Sequence, residues 1–197
     1  PSWSPDGRYI YYQRETQEPN TFLGNHNSTI WRITNSGGSA TEVVGNSQCP
    51  AFWNDGALFR SRVELYSPAV SPDGARLAFV GRERILSTYQ GFTSGDVIGE
   101  MVYVKDLLSN TGPVLLLRSA HPQNPNQPPG VTADEDWGFS SLSWNPTGEE
   151  IFVVRSLPIN TKFPQYTNDS HRKGSMTPDF VATQTELIRV IPKDPGR

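Results

Sequence analysis

Apolar residues recur along this chain in short alternating runs rather than in long helical stripes. Ile10 and Tyr12, Leu77 and Phe79, and Ile151 and Val153 are pairs spaced by two, which places both members on one face of a strand. Each pair stands three and five residues after a glycine: Gly7, Gly74 and Gly148. A further strand-like run follows each pair, at 30–33, 101–104 and 186–191. Two more, at 41–44 and 114–117, come after the turn-like segments 35–38 and 109–112. The pattern predicts an all-β chain of short antiparallel strands.

The glycines close a repeated phrase. It reads Pro1-Ser-Trp-Ser-Pro-Asp-Gly7, then Pro68-Ala-Val-Ser-Pro-Asp-Gly74, then Leu142-Ser-Trp-Asn-Pro-Thr-Gly148. Proline presets φ at the second position of a type I turn, Ser or Asn before it bonds the turn backbone, and Gly takes the left-handed place that follows. Each phrase therefore predicts a tight hairpin, with a strand entering and a strand leaving.

A strand of aliphatic and aromatic residues after Pro-x-Trp-Ser-Pro-Asp-Gly resembles the WD40-like repeat of TolB-type β-propellers. The same repeat occurs in the propellers attached to prolyl-oligopeptidase-type peptidases. Three copies span the chain; the third departs from the pattern, with Asn145 and Thr147 in place of Ser and Asp. Between the first two lies Pro50-Ala-Phe-Trp-Asn-Asp-Gly56, with Asn54 where proline is expected. It leaves room only for a hairpin and a short strand through 64–66. The resemblance implies a partial β-propeller of about three to four four-stranded antiparallel blades, cut at both ends. The units expected are 1–45, a degenerate 50–66, 68–118 and 140–197, with the third full unit ending before its fourth strand. Exposed blade edges make an unstable or oligomeric chain the expectation.

Composition narrows the chemistry. Seventeen glycines and seventeen prolines suit many turns, and a net charge of −3 offers no broad attraction for nucleic acid or anionic membranes. No apolar run is long enough to span a membrane, so no membrane insertion is expected. Cys49 is the sole cysteine, which excludes an internal disulfide. His26, His121 and His171 fall in separate connections, without the spacing of a local zinc pair. Asp6 and Asp73 read as turn carboxylates rather than metal ligands. No Gly-x-Ser-x-Gly elbow and no phosphate-binding glycine loop occurs, so neither a catalytic residue nor a cofactor is expected. Glu149 and Glu150 are adjacent, and on a strand their side chains would diverge, which weakens a glycosidase reading.

The variable connections are those between second and third strands and between units, and both leave the sheets at the end opposite the Pro-Asp-Gly hairpins. Long connections in compact domains are usually functional, so that end is expected to meet a partner. Trp3 and Trp144 share a repeat position, Trp53 stands next to it in the degenerate copy, and all three are expected to pack in the core. Trp137 differs: it stands beside Asp134, Glu135 and Asp136 in a long inter-unit segment, where an aromatic flanked by carboxylates can anchor a peptide or cation. The Pro- and Asn-rich segment 122–130, and 160–177 with its small basic cluster His171-Arg-Lys173, read as extended connections. The resemblance implies a non-catalytic scaffold for protein or peptide binding in a periplasmic or other extracytoplasmic setting. Its alternative is the regulatory propeller of a prolyl-oligopeptidase-type serine peptidase whose catalytic domain lies outside this chain.

Overall fold

A computed structural model describes residues 1–17, 26–49, 61–85, 97–120, 138–158 and 183–192. These form eleven strands: β1 (Ser2–Trp3), β2 (Tyr9–Gln17), β3 (His26–Thr34), β4 (Thr41–Val44), β5 (Ser61–Val70), β6 (Arg76–Ile85), β7 (Val97–Asp106), β8 (Val114–Ala120), β9 (Gly138–Trp144), β10 (Ile151–Pro158) and β11 (Thr183–Val190). A short 3-10 turn, Asn46–Gln48, follows β4. The strands make three antiparallel sheets in sequence order, β1-β2-β3-β4, β5-β6-β7-β8 and β9-β10-β11. The chain is all-β, and the third sheet has three strands among the described residues.

The repeated phrase builds the same hairpin three times. Gly7, Gly74 and Gly148 have φ of 68°, 73° and 75°, the left-handed conformation that glycine adopts without steric cost. Their N–H groups donate to the carbonyls of Ser4, Ser71 and Asn145 at 2.9, 2.9 and 3.0 Å. In the first copy the Ser4 hydroxyl donates to Asp6 at 2.6 Å and accepts the Tyr9 N–H at 2.9 Å. The second repeats this with Ser71 donating to Asp73 at 2.5 Å and accepting the Arg76 N–H at 2.8 Å. Asn145 performs the acceptor role in the third copy, taking the Glu150 N–H at 3.1 Å, while Thr147 bonds Glu149 instead of closing the turn.

One facing rule relates the sheets. Positions three and five after the turn glycine face the preceding sheet, and the residue between them faces the following one. Thus Leu77 and Phe79 pack with Tyr11, Ile30 and Val44 between the first and second sheets. Ile151 and Val153 pack with Ala78, Val80 and Val102 between the second and third. Close stacking needs space at Gly81, where a Cβ would stand 2.7 Å from Val63 and 2.8 Å from the Tyr103 ring. Both cores are continuous apolar layers, and burial of this kind dominates the stabilisation of such sheets.

Three details differ from the sequence reading. The run 64–66 is not part of a separate truncated unit: Glu64, Leu65 and Tyr66 lie within β5 and pair with Arg82, Gly81 and Val80. It therefore enters the second hairpin, and 50–60 lies outside the described residues. Within β5 a bulge between Tyr66 and Ala69, where Ser67 has φ of 49°, separates this run from the hairpin. Trp3 is not a core residue; it is 58% exposed, because its side of the first sheet has no described sheet against it. His26 opens β3 rather than lying in a connection.

Candidate functional site

Antiparallel order sends the chain up and down, so the hairpins and the turns 35–40 and 107–113 share one end of the sheets. The connections 18–25, 45–60, 86–96, 121–137 and 159–182 leave from the other end, as expected from the sequence. Asp134, Glu135, Asp136 and Trp137 fall in one of these and lie outside the described residues, as do His121, His171, Trp53 and the segments 122–130 and 160–177.

The strand ends that carry these connections hold a layer of buried charge. In the middle sheet Glu64, Arg82 and Glu100 sit side by side on β5, β6 and β7, facing the third sheet. Glu64 and Glu100 are buried, as is Glu83 on the opposite face. Carboxylates so removed from water persist as charges only with partners. Glu100 takes the Arg82 Nε–H on one oxygen at 2.6 Å and the Phe139 N–H on the other at 2.5 Å. One side chain thereby ties β6, β7 and β9 together. Gly138 leaves room for it, since a Cβ there would collide with the Glu100 carboxylate. The Arg82 guanidinium also lies 4.9 Å from the centre of the Tyr66 ring, whose hydroxyl donates to Glu64.

Polar clips join the first and second sheets in the same layer. Ser28 donates from β3 to the Leu65 carbonyl at 2.7 Å. The Asn46 amide, held in its 3-10 turn, donates to the Ser28 carbonyl at 3.2 Å and also to the Val63 carbonyl. Burial pushes the Arg118 guanidinium down from its ordinary value, opposed by the neighbouring Glu83 and by Tyr103. Burial likewise raises the Tyr103 hydroxyl, assisted by Cys49 and Glu83. The Cys49 thiol is pushed up to about 12 by its burial, against a small opposing effect of Lys105. A thiol so protonated is no nucleophile at neutral pH.

This arrangement clamps neighbouring sheets together. Both Glu100 oxygens are occupied, and the groups that meet them are a backbone N–H and a guanidinium. Among the described residues no group of three or more His, Cys, Asp and Glu side chains is placed to hold a metal ion. Asp6 and Asp73 point into their own turns, where the Ser4 and Ser71 hydroxyls and the next backbone N–H groups hold both carboxyls below the usual aspartate value. Glu149 and Glu150 precede β10; Glu150 pairs with Arg189 at 3.5 Å and Glu149 with Thr147. A shallow groove lined by Pro1, Tyr12, Gln13, Glu15, Ser67 and Pro68 opens between the first two sheets. No described helix is long and apolar enough to cross a membrane.

The clamp was not anticipated from sequence. Its signal is the interruption of alternating apolar residues by charge in three successive strands, Glu64, Arg82-Glu83 and Glu100; the expected strands stopped short of Arg82-Glu83 and Glu100 and assigned Glu64 to a separate short strand. The chain matches no protein-family model and no curated protein.

Proposed function

We propose that the three sheets are successive blades of a TolB-like β-propeller, and that the protein is a non-catalytic scaffold binding protein or peptide at the end that carries its long connections. The observation that carries the reading is the facing rule: the second and third hairpins each present their third and fifth following residues to the sheet before them. Sheets related in sequence by one repeated contact are what radial repetition requires. The buried clamp supports the binding role, since it stiffens the strand ends that hold the connections and leaves its own charges occupied. An extracytoplasmic setting follows from the resemblance alone and is part of the same proposal.

A peptide array probed with the chain tests it. Binders are expected, weakened at least about tenfold, or 1.4 kcal/mol, by the combined changes Asp134→Asn, Asp136→Asn and Trp137→Ala. Thr111→Ala at the hairpin end is expected to leave them unchanged. Absence of binders, or equal effects at the two ends, would sink the reading.

A further inference from the structure

We propose that the outer edge of β8 pairs antiparallel with β8 of a second copy of this chain, joining two middle sheets across a twofold axis. The fourth strands β4 and β8 carry the same bulge against their third strands, between Ile30 and Trp31 and between Val102 and Tyr103. That match places Thr41 and Glu42 of β4 where Val114 and Leu115 stand in β8. All four are exposed, so these positions face water in both sheets. The first sheet fills them with polar groups. The middle sheet fills them with Val114 and Leu115, 46% and 44% exposed, and its preceding turn adds Leu108, 83% exposed. The fold therefore does not demand apolar residues at this edge.

The edge specifies its occupant. Among the described residues β8 ends its sheet, so its outer backbone N–H and C=O groups are met by an extended strand. Val114 pairs with Val104 and Leu115 with Tyr103, which belong to the cores on opposite sides of the sheet, so the edge is apolar on both faces. The partner strand must be apolar on both faces too. β8 itself meets that description. It is seven residues long and holds the aliphatic run Val114-Leu-Leu-Leu117, and the stretch 107–117 carries no charged side chain. Antiparallel pairing about a twofold axis within 114–117 sets aliphatic against aliphatic and keeps the two Arg118 side chains at opposite ends of the contact. β4 is unsuited to the same pairing, since it has four residues and would bring two Glu42 carboxylates together. The β8 contact is isologous and uses up both edges, so association stops at two copies.

Sedimentation of the 197-residue chain from about 1 to 100 μM provides the test. A reversible monomer–dimer equilibrium is expected. Leu115→Glu gives β8 the side chain that β4 already carries at the same place, so the fold is expected to persist, checked by an unchanged thermal melt at the lowest concentration. Leu115→Glu and Leu115→Lys should each weaken the dimer at least about tenfold. Mixing the two variants should restore it, because opposite charges then meet across the axis. Leu187→Glu, at an exposed apolar side chain of the third sheet, should leave the dimer unchanged. A chain that stays monomeric over the whole range overturns the proposal. So does association that grows beyond two copies, that survives Leu115→Glu, or that Leu187→Glu weakens equally, and so does a mixture no tighter than its separate components.

Discussion

Asp6 and Asp73 occupy one position in two copies of a turn, and each accepts a hydroxyl hydrogen two residues back and a backbone N–H two residues on. Those donors favour the ionised form, so the folded pKa lies below the ordinary 3.8. The sign follows directly: the stabilisation is complete above the unfolded value and is lost as pH falls through the folded one. An Asp73→Asn variant should therefore be less stable than the parent near neutrality, with the gap closing on acidification below about pH 4. Urea midpoints across that range check it; a constant gap would mean that the carboxylate charge is irrelevant to the turn. This role was legible in the sequence because it is local, each partner lying within two residues. Ser67 and Ser141 were not legible. Each stands four residues before its turn Ser or Asn, with φ of 49° and 50°, at a bulge in the entering strand. Serine carries no signature of the left-handed conformation, which normally selects Gly or Asn, so pairing across the bulge alone reveals the recurrence.

At the scale of elements, the strands of the middle sheet run beyond their apolar segments into the charged layer. Glu100 is the link between neighbouring sheets there, and its removal is expected to be felt in both. Glu100→Gln should cost about 2 kcal/mol, below the 3 to 5 of a fully buried broken pair, since Arg82 is partly exposed and can turn toward water. The double change Arg82→Met with Glu100→Leu is expected to recover much of that loss. Chemical denaturation of the parent, Arg82→Met, Glu100→Leu and the double variant measures the coupling, and simple additivity would show that the pair does not act as a clamp. Sequence reasoning ended these strands early because charge in a strand end resembles a solvated loop. Whether such a residue is buried depends on a neighbouring sheet, which no local pattern encodes.

Over the whole molecule, two tryptophans of one repeat position have opposite fates. Trp144→Ala should cost about 3 to 5 kcal/mol, as a buried aromatic removed from a packed layer. Trp3→Ala should cost under about 1 kcal/mol, as an exposed substitution does. Thermal or urea unfolding at low concentration separates the two, and equal losses would contradict the difference in burial.

By itself the sequence determined the hairpins, the order and antiparallel sense of the strands, and that the members of each alternating pair share a face. Turn chemistry and a period of two are properties of a few consecutive residues, and the same phrase written three times folds the same way three times. Tertiary structure alone decided which faces are covered. It buried Trp144 and left Trp3 open, carried 64–66 into β5, and paired Glu100 with a strand 39 residues away. Burial depends on which sheet stands opposite, and identical local sequence is equally compatible with an interior and a surface.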